Sequence, residues 1–405
     1  MARAPLILAV LIWAVATPAW AEAPDCPPVE PGAELSGEAA AGVLPSVLLI
    51  LPKGADGAIV TDGLALAEGT RVAESRFSPL LCATIARIEG PVGASPASLV
   101  LALPAGAAAV QDDTYETEAD PDVSSAVPTP NAKPDPYRKR QWAHDALGID
   151  AAQRVARGEN VRVAVLDSRV NEKHPDLSGT RVIGEERGAA AQHGTLVAGI
   201  IGARARNGAG IHGVAPAAQL LSLPACDAGP RGDVCRLFAV LVGLDAAWSE
   251  RAQVVNVSLV GPANRALERA VRRLDTLGVA VVAASGNRAS GTPAYPAAYP
   301  WVIGVAATDV KRARAPTGSV VDLTAPGVEI VSTAANGGYA FASGSSLAAA
   351  HASGALALLT SASGGDVAAA RRALFSSAPR ANPKAPPALP KLCDALAKLG
   401  KPCAR

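Results

Sequence analysis

VRVAVLDS, residues 161–168, is an almost unbroken apolar run that ends on an acid and a hydroxyl. Alternation is missing, so a strand here is buried on both faces, as in the parallel sheets of α/β proteins. Working outward, the same kind of run returns in AQLLSLPA (218–225), QVVNVSL (253–259), VAVVAAS (279–285) and WVIGVAA (301–307). Helical patterns lie between them. HGTLVAGIIGA (193–203) has apolar residues at helical spacing, and ALERAVRRLDTLG (266–278) is amphipathic and closes on Gly278. Strand-helix-strand repetition implies right-handed crossovers, which put helices on both faces of a parallel sheet. The predicted fold class is therefore α/β, with three α/β/α layers around a central parallel sheet. Ligands of such sheets bind beyond the C-terminal ends of the strands, and Asp167 stands at such an end.

Three small-residue blocks carry reactive side chains: Asp167-Ser168, then His193 in QHGTLVAG, then Ser346 in SGSSLAAAHASG. A serine hydroxyl is a weak nucleophile until a neighbouring base takes its proton. An imidazole titrates near about pH 6.5, so it accepts that proton and returns it to a leaving group. A buried acid holds the imidazole in the required tautomer and stabilises its cation. The small residues ahead of Ser346 let the chain turn sharply and expose the hydroxyl, and the Ala-rich run after it is helical. Acid, imidazole and hydroxyl occur in several chain orders in unrelated folds. In order and in local motif, these residues resemble the subtilisin-like serine peptidases.

The resemblance implies a subtilisin-like fold with Asp167, His193 and Ser346 as catalytic residues. It implies Asn287, in Ala284-Ser285-Gly286-Asn287, as an oxyanion donor beside the nucleophile's own N–H. It extends to His174-Pro175-Asp176-Leu177, Gly213-Val214-Ala215-Pro216 and Ala325-Pro326-Gly327. The family's nucleophile block reads Gly-Thr-Ser-Met-Ala-x-Pro-His-Val-x-Gly. Here Ser345 and Leu347 are mild changes, Ala350 replaces Pro, and His351 and Gly354 match. The other histidines, His144, His174, His212 and His351, read as structural or surface residues. The family's Asp-Ser/Thr-Gly is here Asp167-Ser168-Arg169. An Arg where a Gly-type backbone is needed is strained, and a guanidinium on Asp167 competes with His193. These departures leave a second reading open, a catalytically impaired pseudo-protease that binds peptides. The residue order argues against an esterase or a peptidase of another fold.

By the same resemblance, Ser258, Leu259 and Val260 pair with extended substrate backbone. Ser285 and Gly286 form the opposite wall of the pocket for the residue ahead of the scissile bond (P1). Val260 and Ala294 stand where the family often has Gly, and their added bulk points to small or medium apolar P1 residues such as Ala or Val. Many members bind calcium through the acid matching Asp176 and a loop after the His helix. Here that loop, residues 204–210, carries Arg204 and Arg206 and few oxygen ligands, whereas calcium takes about six to eight oxygens. Calcium is possible but disfavoured at that site, and no other metal or cofactor is expected.

At 405 residues the chain is long enough for two domains, or for one large domain with appendages. Aromatics are scarce and Ala and Gly abundant, so small aliphatics must fill the core. A net charge of +1 without a basic face argues against a nucleic-acid partner. Residues 1–21 read as a secretory signal, with Arg3, an apolar stretch from Pro5 to Val15, and Ala19-Trp20-Ala21 ahead of a cut before Glu22. The mature protein is expected to be exported, periplasmic or extracellular, without a membrane anchor. Six cysteines in an exported chain suggest disulfides, and pairing nearest neighbours gives Cys26–Cys82, Cys226–Cys235 and Cys393–Cys403.

Residues 22–115 read as a small prodomain-like α+β segment. Strands are expected in SVLLILPKG (46–54) and LLCATIARI (80–88), a short helix near Ser95, and a closing strand in AAAVQDDTY (107–115). The resemblance makes this segment an intramolecular chaperone and inhibitor. Residues 116–136, acidic and then rich in Pro, Ser and Thr, read as a solvated linker and the natural place for a processing cut. Arg138-Lys139-Arg140 reads as a solvated charge cluster. Residues 137–379 form the peptidase-like domain. The Pro/Lys-rich tail, 380–405, ends in a short helix that a Cys393–Cys403 bridge would close. The expected partners are protein or peptide substrates and the chain's own N-terminal segment.

Overall fold

The structure, a computed structural model, describes residues 32–35, 45–53, 61, 63–117, 124–127, 135–184, 191–229, 232–287, 293–311, 321–380 and 385–404. The signal segment and Cys26 lie outside the described residues. The chain divides into two compact units, Met1–Asp112 and Asp113–Arg405.

The smaller unit is built on a five-stranded sheet. Its spatial order is Gly32–Glu34, Ala108–Gln111, Ser46–Pro52, Ala83–Glu89 and Arg71–Ser78. Val47, Leu49, Leu51, Ala86, Ile88 and Ala109 pack with Leu99 in its core. The helix expected near Ser95 is a single 3-10 turn, Pro96–Ser98. Arg71–Ser78 is an edge strand that the apolar pattern does not announce, because its sequence RVAESRFS is polar. Charge on an edge blocks further strand pairing. Here the charges are paired within the sheet, Arg71 with Glu89 and Arg87 with Glu74 and Glu89. The closing strand stops at Gln111, and the end of the expected 107–115 stretch belongs to the other unit.

In the larger unit the strands are β1 (Thr114–Glu116), β2 (Ser124–Val127), β3 (Arg162–Asp167), β4 (Arg181–Val182), β5 (Gln219–Pro224), β6 (Cys226–Gly229) and β7 (Gly232–Arg236). They continue with β8 (Val254–Val257), β9 (Ala280–Ala284), β10 (Val302–Thr308), β11 (Leu323–Pro326), β12 (Ile330–Thr333) and β13 (Tyr339–Ala342). The main helices are α1 (Gln192–Gly202), α2 (Leu237–Ser249), α3 (Arg265–Thr276), α4 (Ser345–Ala362), α5 (Val367–Ser377) and α6 (Leu392–Lys398). The central sheet runs β4-β5-β3-β8-β9-β10-β11, and every neighbouring pair is parallel. The expected strands and helices are present; β4 and β11 are added at the two edges of the central sheet, and α2 and α5 are added among the helices. The α/β/α arrangement places α1 and α4 on one core with Val163 and Val165 of β3, while α2 and α3 pack together and against the sheet. α4 is buried along most of its length, and its alanines let it run through the core between α1 and the sheet. That is where much of the Ala-rich composition is used.

Cys226–Cys235 closes the β6–β7 hairpin and Cys393–Cys403 closes α6, both as nearest-neighbour pairing implies. Cys82 is also disulfide-bonded. No described helix is long and apolar enough to cross a membrane. The stretch read as a solvated linker is partly bound: Glu116 and Thr117 make backbone bonds, and β2 pairs antiparallel with β13. An open sheet edge offers ladder bonds to any extended segment, whatever its side chains. Hydrophobic pattern therefore gives no sign of this pairing.

Candidate active site

The register of the sheet gathers the site. Leu166 pairs with Val257, and Asp167 with Pro224. β8 continues into Ser258-Leu259-Val260, and its neighbour β9 continues into Ser285-Gly286-Asn287. Asp167, Ser258 and Asn287 thus follow the C-terminal ends of three adjacent parallel strands.

Asp167 is fully buried. Its carboxylate receives His193 Nδ1 at 2.8 Å (Oδ1) and 3.0 Å (Oδ2), and the Ser168 N–H at 2.7 Å. An ionised acid only accepts, so Nδ1 carries the proton and Nε2 is left as the base. His193 is the second residue of α1, and the helix start is pinned to the strand end. Ala191 N donates to Arg169 O, and Gly194 N to Ser168 Oγ. A Cβ on Gly194 would lie 2.0 Å from Ser168 O, so only glycine lets the helix approach this closely.

Ser346 lies in the first turn of α4, which packs against α1. Two bonds tie the turn to the end of β9: Gly286 N donates to Ser345 Oγ at 3.1 Å, and Ser345 N donates to Asn287 Oδ1 at 2.7 Å. The second bond fixes the Asn287 amide plane. A Cβ on Gly344 would come within 3.2 Å of Asn287 Nδ2, so the small residue sets how near Asn287 stands to the turn. A buried polar chain, Ser353 Oγ to Asn256 Oδ1 and Asn256 Nδ2 to Ser258 Oγ, holds β8 to α4. Such satisfied networks specify one packing arrangement.

Arg169 is engaged by Glu172 at 3.1 Å, and it is not among the residues with positive φ. The strain considered from sequence is therefore not present, and the guanidinium has its own carboxylate. His351 is buried, its Nδ1 donates to Leu347 O at 2.9 Å, and burial pushes the imidazole down to about 4. His144 is buried and held well below the usual imidazole range, His174 Nε2 meets Gly338 O, and His212 pairs with Asp135.

Of the expected substrate-facing residues, Val260 is paired with a strand of this same chain. Glu116 N donates to Val260 O at 2.9 Å, and Val260 N to Glu116 O at 3.0 Å. On its other side β1 pairs antiparallel with β7, and Thr117 N donates to Asp233 O. Ser258, Leu259 and Ser285 are buried. Gly261 and Tyr295 exchange both backbone bonds, which brings the strip containing Ala294 beside Val260. Sequence reasoning missed Asp233. Its side chain hydrogen-bonds Ser168 and lies near His193 and Asp167, and burial pushes its carboxyl up. The clue was the Cys226…Cys235 pair, which marks the hairpin that carries it.

The calcium ligands suggested by resemblance are otherwise occupied. Asp176 accepts Asn207 Nδ2 (2.8 Å), Ile211 N (3.0 Å) and Tyr339 Oη (3.0 Å), and burial pushes its carboxyl up to about 6. In this arrangement all three of these neighbours direct hydrogen at the Asp176 carboxylate. Excess chelator is expected to leave the melting temperature unchanged by calorimetry; a large fall would contradict this.

Residues 158–391 match the Subtilase family. The chain is 39% identical over 234 residues to minor extracellular protease Epr of Bacillus subtilis (strain 168), covering 54% of this chain and 35% of that protein. It is 37% identical over 246 residues to thermitase of Thermoactinomyces vulgaris, covering 58% and 86%. Subtilisin E of Bacillus subtilis (strain 168) is 38% identical over 218 residues, covering 50% and 56%. The match thus spans a minor part of Epr and about half of subtilisin E, and most of thermitase.

Proposed function

The chain belongs to the subtilase family, and from that premise we propose that it is an exported serine endopeptidase made as an inhibited precursor. The observation that carries this reading is the paired bond from His193 Nδ1 to Asp167, on a helix packed against the one that presents Ser346. In the first step Ser346 Oγ attacks the scissile carbonyl while His193 Nε2 takes its proton. Asp167 stabilises the resulting imidazolium. The N–H of Ser346, in the first turn of α4, has no helical acceptor. With the Asn287 amide it faces the charge that develops on the oxygen. His193 then protonates the leaving amine, and water attacks the acyl-enzyme by the reverse path.

Substrate backbone adds a strand against Val260, and support for this comes from β1, which already makes those bonds. The same strand supports the precursor reading, since a cleft holding its own chain is closed to others. Residues 22–115 would then act as chaperone and inhibitor, and no cofactor takes part. Val260 and Ala294 add bulk beside the P1 pocket, so small or medium apolar P1 residues are preferred. Among acyl-tetrapeptide anilides, the Ala-P1 compound is expected to exceed the Phe-P1 compound about 10-fold in kcat/KM. The opposite order would refute the preference, and no hydrolysis of any anilide by the processed protein would refute the endopeptidase reading.

A further inference from the structure

Residues 385–404 take no part in the chemistry above, yet they are built into the sheet that carries it. β11 is the last strand of the central sheet, and the tail occupies its outer edge. Ala388 stands opposite Thr324 of β11 in a parallel bridge. Thr324 N donates to Pro387 O at 2.8 Å, and Leu389 N donates to Thr324 O at 2.7 Å. Without these bonds the edge would be an open ladder. β11 packs against α4, the helix that carries Ser346. The strand ends at Pro326, and the next residue, Gly327, meets the nucleophile turn. Gly344 N donates to Gly327 O at 2.7 Å, and a Cβ on Gly327 would lie 2.7 Å from Gly344 O.

The tail is fastened where it continues. Leu389, Leu392, Ala395 and Leu396 are buried in one core with Leu356 and Leu359 of α4, and α6 packs on α4 and α5. At 7 residues, α6 is too short to be stable by itself. Gly400, with a φ of 69°, turns the chain back at the helix end, and Cys403 reaches Cys393 across a sequence separation of 10. A cross-link over such a span disfavours the open tail about 100-fold. The subtilase match stops at residue 391, ahead of both cysteines.

We propose that residues 387–404 are a strap that positions the nucleophile turn through β11, with Leu389 as its positioning residue and the Cys393–Cys403 disulfide as its lock. The strap lies outside the endopeptidase reading, and only its effect on turnover rests on that reading. Loss of the bonds at Thr324 frees the end of β11. Gly327 moves with it, and Gly344 carries the Ser346 turn out of line with His193. A misplacement of about 1 Å at a reacting group costs on the order of 100-fold in turnover. Val260, Ser285 and Gly286 follow β8 and β9, which β10 separates from this edge. Substrate binding is therefore left as it is, and the strap acts on kcat.

The test compares the processed wild type with Leu389→Pro, which removes the N–H that binds Thr324 O, and Leu389→Val, which keeps the N–H and an apolar side chain. Anilide kinetics and amide hydrogen exchange are measured on each. Leu389→Pro is expected to lower kcat about 10-fold or more, with KM within about 2-fold of wild type and faster exchange at residues 344–347. Leu389→Val is expected to keep the wild-type kcat. Because Leu389→Pro can disturb folding, Cys393→Ser/Cys403→Ser is measured beside it. Its exchange in residues 392–399 is expected to quicken about 100-fold, with residues 344–347 quickening alongside. A loosened tail with kcat and residues 344–347 unchanged overturns the positioning role. Unchanged tail exchange in the cysteine variant overturns the lock. Equally faster exchange throughout the larger unit, with KM raised as well, means a merely structural tail and overturns the strap. A wild type without turnover overturns the endopeptidase reading, and exchange at residues 344–347 then decides the strap.

Discussion

Ser346→Ala is expected to remove turnover on the order of 10⁶-fold in kcat, the scale known for loss of the nucleophile in subtilisins. The melting temperature should be unchanged. Ser346 is buried at a helix start among alanines, and alanine suits that position. The bonds that shape the turn come from Ser345, Gly286 and Asn287, not from the Ser346 hydroxyl. Anilide hydrolysis and calorimetry on the same preparation separate the two effects. Residual turnover above about 1% of wild type would mean that another group attacks the carbonyl.

Asp167→Asn should cost about 10⁴-fold in kcat, the scale known for this exchange in serine peptidases, with the fold retained. The reason is local. Ser168 N–H already binds Oδ1 at 2.7 Å, and it will claim the single acceptor oxygen of an amide. The amide NH₂ then faces His193 Nδ1, which must give up its proton and become the acceptor. The proton moves to Nε2, which meets Ser346 as a donor and no longer as a base. A loss of less than about 10-fold would mean that Asp167 does not set the tautomer.

Much of this was legible in the sequence because burial on both faces leaves β3, β8, β9 and β10 as continuous apolar runs. The small-residue blocks around His193 and Ser346 were legible for a related reason. Gly194 stands where a Cβ would run into the Ser168 backbone, and Gly344 where one would crowd the Asn287 amide. Other parts were hidden. Arg71–Ser78 carries paired charges on an edge and reads as loop. α2 is apolar on nearly every side, so it has no helical period to detect. Asp233 sits in a hairpin whose role is made by backbone edges. The pairing of Thr114–Glu116 with β7 and of Glu116 with Val260 depends on ladder bonds that any side chain permits.

The central claim is that Ser346 is an activated nucleophile. It is tested most directly by treating the processed protein with a fluorophosphonate and locating the adduct by peptide mass. A single adduct on Ser346, lost on denaturation before treatment and in Asp167→Asn, is the predicted result. An adduct on a different residue, or none on Ser346 with residues 22–115 either present or removed, would contradict it.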